Sequence, residues 1–325
     1  METSLRYSTS ATNLSYAPND YYDSWDLYNA SSPCMNSRLQ GMVGLTITSF
    51  GIPINVTFMF VVLRVRSMRT VTNAYLVNVA VADVMHLATH WAVWCCHLLQ
   101  DMCPLRSNMN VLYLSLFLNR IMQFASLLTV TVLALDRYLA VCKPVLYKKG
   151  LLHRPRVVVK ILSAIWFFSL LMSLETVLQS FGYYHQTLTN YVLIGPLIFL
   201  IVLLASVLVT GVFYYLIIHK VRKAARNKST THALRSREKQ IVRLCMATTA
   251  IYFLCVVPML VEILDHLFNY NQQNRWFFEC EKFIVMNVAS YFLEINSSVN
   301  PIIYNALSSK YRKAFAAAFC MTCQK

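Results

Sequence analysis

Residues 197–218 read LIFLIVLLASVLVTGVFYYLII, 22 positions in a row without a charged side chain. At 1.5 Å per residue, an α-helix needs roughly 20 apolar residues to cross a hydrocarbon core of about 30 Å. A run of this length and composition therefore marks a membrane-spanning helix. In water it would need burial on every side, which a helix in a small domain rarely finds.

Working outward from it, comparable apolar runs lie at 41–63, 73–99, 108–135, 157–179, 191–219, 241–268 and 282–305. The chain of 325 residues is 57% hydrophobic and only 13% charged, so the bilayer rather than water is its solvent. The expected fold is an all-α membrane protein: a seven-transmembrane helix bundle over 41–305. It is preceded by a polar, Ser-, Asn- and Tyr-rich tail at 1–40 and followed by a short amphipathic helix and tail at 306–325. No removable leader is expected before the first span, which is then expected to direct its own insertion.

Seven spans put the two termini on opposite sides. Basic residues choose the side: Arg64, Arg66 and Arg69 follow the first span, and Lys143, Lys148, Lys149, Arg154 and Arg156 separate the third from the fourth. The stretch from Lys220 to Arg243 and the group Lys310, Arg312 and Lys313 agree. Positive residues stay cytosolic, so the N-terminus is expected outside the plasma membrane. The net charge of +15 is thus topological. It forms no continuous patch, so nucleic acid is not an expected partner, and anionic inner-leaflet lipid is.

Charges inside a bilayer need a reason. Asp83 lies about eleven residues above the cytosolic end of span two, roughly 16 Å deep. Ser126 sits at similar depth, and Asn296, Ser297 and Asn300 approach from span seven. Two readings stand side by side: a bound sodium ion held by these oxygens, or a hydrogen-bonded Asp83 that ties helices together. No other metal or cofactor is expected. At the cytosolic end of span three stands Asp136-Arg137-Tyr138, with Glu238 at the start of span six as a candidate partner for Arg137. Pro258 in span six and Asn300-Pro301-Ile302-Ile303-Tyr304 in span seven provide bends and a polar or aromatic switch.

Higher in the bundle, Arg120 stands two turns above Ser126 and Glu294 lies in the upper half of span seven. The two are expected to pair, with Asn119 and Gln123 adding hydrogen bonds. Met259, Glu262 and Ser290 complete the candidate ligand pocket. The alternative sends Arg120 toward span four or lets it snorkel outward, with no role in the pocket. His86, His90 and His97 recur at near-helical spacing on span two, but no acidic relay accompanies them in the sequence.

Cys320 and Cys323 beside the terminal helix suit palmitoylation. Asn13 and Asn29 are glycosylation acceptors on the expected outer side. Cys34 and Cys280 are a candidate disulfide, with Cys103 as a competing partner. No enzyme signature is present, so an enzyme is not expected.

As a set, Asn55, the run Leu76-Val77-Asn78-Val79-Ala80-Val81-Ala82-Asp83, Asp136-Arg137-Tyr138, Trp166, Pro258 and Asn300-Pro301-Ile302-Ile303-Tyr304 resemble the rhodopsin-like G-protein-coupled receptors. The segment Met68 to Leu76 is similar to neuropeptide receptors. The resemblance implies an extracellular ligand, expected to be a peptide, and a heterotrimeric G protein engaged by Arg137. It also implies a sodium site at Asp83, Ser126 and Asn300. Departures accompany it: Leu112 stands where a bridging cysteine is usual, residues 180–192 contain no cysteine, and Val256 replaces the usual tryptophan. These favour a divergent receptor. A non-signalling or decoy binder is the alternative, and a transporter or channel, which would show paired broken-helix repeats, is a more distant one.

Overall fold

The computed structural model describes residues 36–99, 109–148, 154–185, 194–226, 232–269 and 279–319. These form long helices: α1 Ser37–Arg64, α2 Val71–Leu99, α3 Met109–Cys142, α4 Pro155–His185, α5 Ile194–Arg226, α6 His232–Asn269 and α7 Glu279–Leu307, followed by the shorter α8 Ser309–Phe319. A five-residue helical turn, Pro144–Lys148, leads away from α3.

Local chemistry sets the ends. Asn36 caps α1, its side chain accepting the backbone N–H of Arg38 at 2.9 Å. At the other end Arg69 donates to the Leu63 carbonyl at 3.0 Å, satisfying a group the helix leaves open. Arg312 does the same for α7, donating to the carbonyls of Asn305 and Ala306 at 3.1 and 2.9 Å.

The surface is inverted relative to a water-soluble bundle. On α5, Ile201, Leu204, Leu208, Val212 and Tyr215 form an exposed apolar stripe, with Leu208 69% exposed. Polar groups such as Asn55, Asp83, Asp136 and Glu294 are buried. Lipid explains both at once, because it solvates the stripe and forces polar groups inward.

Six described helices are long and apolar enough to cross a membrane by composition. Composition thus stops one short of the seven spans expected, and the missing one is α7. It is 29 residues long, roughly 43 Å at the helical rise, so length is not the obstacle. Its inner face carries Asn287, Glu294, Asn296, Ser297, Ser298 and Asn300, all buried against other helices. Polarity directed into the bundle lowers the mean hydropathy without exposing polar groups to lipid.

The helices close into a ring around α3, which packs on α2, α4 and α5, while α1 meets both α2 and α7, and α6 lies along α7. Gly44 and Gly51 make the α1 contacts close. A Cβ on Gly44 would come within 2.3 Å of the Trp94 ring, and one on Gly51 within 2.1 Å of Ser298 Oγ. At the far end α8 turns Tyr311, Ala314 and Ala318 inward, with Arg312 and Lys313 outward.

Candidate functional site

Three polar layers cross the bundle. At the end where α3 finishes, the Arg137 guanidinium donates to the Asp136 carboxylate, with Nε at 3.1 Å, and also to the Thr72 hydroxyl of α2. Asp136 is fully buried and Arg137 nearly so. Arg137 is thus clasped by its own helix and by α2. The side chain of Glu238, the expected partner on α6, lies outside the described residues. Tyr138 stacks on Phe213 of α5, with ring centroids 5.2 Å apart. Tyr147, in the turn after α3, sits close enough for burial and the Asp136 carboxylate to raise its phenol above the ordinary value. Tyr304 lies between the rings of Phe58 and Tyr311, at 5.0 and 5.7 Å, where α1, α7 and α8 converge. Pro258 and Pro301 lie within continuous helices.

The middle layer centres on Asp83, which accepts a hydrogen bond from Asn300 at 2.9 Å. Ser126 Oγ and Asn296 Oδ1 are buried nearby without a hydrogen-bond partner. Asp83, Ser126 and Asn296, together with Ser297, His86 and Tyr252, line a cavity of about 20 Å³, room for about one water-sized occupant, and Asn300 stands outside its lining. The donors are hard oxygens, the kind that alkali and alkaline-earth cations accept, and two of them lack partners, so the residues fit a small cation. The neighbouring motif residues are links between helices. Asn55 donates to the Ser297 carbonyl at 2.8 Å, Asn78 to Thr129 at 2.9 Å, and Trp166 to Asn78 at 2.9 Å.

The upper layer corrects the sequence reading. Arg120 does not meet Glu294. It lies 3.5 Å from Glu175 of α4, donates to Gln123 at 3.2 Å and sits 5.1 Å above the Phe199 ring of α5. The reason is helical geometry. Asn119 and Arg120 are about 100° apart on α3, and Asn119 is the one that faces α2. There its carbonyl oxygen meets His86 Nδ1 at 3.0 Å and accepts Thr89 Oγ1 at 2.7 Å. Asn119 and Gln123 therefore serve different partners rather than one shared pair.

Glu294 instead accepts Trp94 Nε1 at 2.6 Å and lies 2.9 Å from His90 Nδ1, both on α2. Two groups escaped the sequence reading. Glu175 had a signal, a lone acid inside the apolar run 157–179. Of the three histidines His90 has an acidic partner after all, but it comes from α7, 204 positions away in sequence.

The other expected pocket residues divide. Met259 belongs to the apolar core with Phe124, Phe199 and Val256, and Ser290 bonds back to the Met286 carbonyl at 3.1 Å. Glu262 is half-buried one turn farther along α6. Cys280 is disulfide-bonded, and so is Cys96, which had not been assigned a bridge. Cys34, Cys103, Asn13, Asn29, Cys320 and Cys323 lie outside the described residues.

The chain was compared with known proteins. The family model described as 7 transmembrane receptor (rhodopsin family) matches residues 54–304. The chain is 29% identical to rat somatostatin receptor type 5, covering 99% of this chain and 88% of that one. It is 30% identical to rat somatostatin receptor type 4, over 83% and 69%. Rat neuromedin-U receptor 2 is 26% identical, over 84% and 73%. With seven helices ordered around α3, the buried Asp136-Arg137 pair and the Asp83–Asn300 contact all within the matched span, the chain belongs to the rhodopsin family of seven-transmembrane receptors.

Proposed function

We propose that this chain is a peptide-activated receptor of the plasma membrane, with its N-terminus outside, and that it passes the signal to a heterotrimeric G protein. The observation that carries the reading is the state of Arg137. A guanidinium that is buried and fully engaged by Asp136 and Thr72 at one end of the bundle is a closed latch on a potential docking surface. The names of the similar receptors, for somatostatin and neuromedin-U, support a peptide ligand.

Orientation follows from charge. Arg64, Arg66, Arg69, Lys143, Arg154, Arg156, Lys220 and Lys313 gather at the Arg137 end, which accordingly faces the cytosol. There α8 lies along the inner leaflet, apolar face inward and basic face toward anionic headgroups. Asp83, Ser126, Asn296, Ser297 and Asn300 would hold a sodium ion, whose charge offsets that of the Asp83 carboxylate within the bundle.

The test is a panel of G proteins co-expressed with the full-length chain and challenged with a peptide library, reading nucleotide exchange. A response lost in Arg137→Ala supports the proposal. Silence across the panel, with the receptor at the cell surface, counts against signalling.

A further inference from the structure

Glu294 is fully buried, and its surroundings leave it incomplete. Oε1 is satisfied by Trp94 and His90, whereas Oε2 is buried without a partner. An ionised carboxylate can accept about four hydrogen bonds, so half its capacity is unused. Trp94 is neutral, and His90 is the one neighbour within ion-pair distance able to carry positive charge. No arginine or lysine pairs with Glu294 among the described residues.

Another buried acid in this half of the bundle, Glu175, is placed differently. Glu175 Oε1 also lacks a hydrogen bond, but the Arg120 guanidinium lies 3.5 Å from it, and Arg120 is itself occupied by Glu175, Gln123 and the Phe199 ring. Among the described residues this half of the bundle therefore offers no free internal cation to an acidic ligand, but Glu294 offers a carboxylate without a cationic arginine or lysine to a basic one. The wider field agrees in sign. The described side chains in this half include Glu175, Glu262, Asp265, Glu281 and Glu294 against Arg38 and Arg120, although the whole chain carries +15.

We propose that the Glu294–His90–Trp94 cluster between α2 and α7 recognises a basic group of the ligand, a primary ammonium or a guanidinium. The inference rests on the reading of this chain as a ligand-activated receptor. His90 keeps 16% of its side chain exposed and forms the accessible wall of the site, while Trp94 stacks on Tyr291 at 5.4 Å. An entering cation forms charge-assisted hydrogen bonds with the carboxylate, strengthened by the low dielectric around it. It takes the open Oε2 or displaces His90 from Oε1. The His86 ring is 4.5 Å from that of His90 and lines the cavity beside Asp83, so displacement of His90 reaches the middle layer through one contact.

The experiment uses the full-length receptor purified in detergent, with thermal unfolding followed as benzylamine, phenylguanidine or neutral benzyl alcohol is added. The two cations are expected to stabilise the wild type at concentrations at least tenfold lower than the alcohol. Glu294→Gln should abolish that gap, and Glu175→Gln should leave it. Should Glu294→Gln fail to fold, Glu294→Asp, which keeps the charge but withdraws it, should narrow the gap. Equal potency of cation and alcohol in the wild type, or an undiminished gap in either Glu294 variant, overturns the proposal. The signalling reading fails separately. A cation preference in a chain that activates no G protein keeps this site and removes signalling. Activation by a peptide without a basic group, unaffected by Glu294→Asp, does the reverse.

Discussion

Neutralising Arg120 should destabilise the receptor through Glu175 and not through Glu294. In the structure Glu175 is 5% exposed and its nearest cation is Arg120 at 3.5 Å. Removing one partner of a buried ion pair costs about 3–5 kcal/mol, because the other charge is left without compensation. The 23% exposure of Arg120 permits some relaxation, so a loss of about 2–3 kcal/mol is expected for Arg120→Gln or Glu175→Gln alone. Part of the Arg120 loss, on the order of 1 kcal/mol, belongs to the Phe199 ring and should survive in any background. The double variant Arg120→Gln/Glu175→Gln leaves no stranded charge, and its loss should fall short of the sum of the singles by more than about 1 kcal/mol. Cys245 and Cys255 are buried free thiols, so a thiol-reactive dye reports unfolding in detergent. A shift of roughly 3–5 °C is expected for each single variant. The control is Arg120→Gln/Glu294→Gln, whose losses should simply add. If that pair couples and the Glu175 pair adds, the assignment of partners is wrong.

Three further outcomes are expected. Sodium chloride should raise the unfolding temperature above that in choline chloride for the wild type but not for Asp83→Asn; an equal sodium effect in both would exclude the pocket as an ion site. Arg137→Ala should lose G-protein activation while retaining ligand binding, and Thr72→Val, which removes one of the described partners of Arg137, should raise basal nucleotide exchange severalfold; unchanged basal exchange would show that Thr72 does not restrain it. Gly44→Val places branched carbons where the Trp94 ring lies and should cut surface expression sharply, whereas normal expression would mean that α1 and α2 separate without penalty.

Much of the bundle was legible in the apolar runs, since hydrophobic length is a local property that one segment declares alone. α7 was legible too, at 282–305, although its polar positions make sense only beside α1, α2 and α6. That Asp83 and Asn300 share one polar layer was accessible from depth, Asp83 lying near the middle of α2 and Asn300 in the second half of the oppositely directed α7. Depth could not decide between Glu175 and Glu294 for Arg120, since both lie at a compatible level and rotation about α3 makes the choice. A single step of about 100° separates Asn119, which faces α2, from Arg120, which faces α4. The role of His90 was hidden for the same reason: its acid lies in the last helix of the ring.

Contacts between α1 and α7 also bear on how the protein is made. Asn55 donates to the Ser297 carbonyl across 242 positions, and the Tyr291 hydroxyl donates to the Gln40 carbonyl across 251. During synthesis α1 enters the membrane first and α7 last, so Asn55 must wait in the lipid without the carbonyl of α7 until nearly the whole chain has been translated. An assembly intermediate of six helices therefore presents on its flank an Asn55 amide held only by the Gly51 carbonyl of its own helix, with its second bond unmade. A cellular surveillance factor that recognises exposed intramembrane amides would have a direct means of telling a finished receptor from an unfinished one, and arrival of the seventh helix would end that signal.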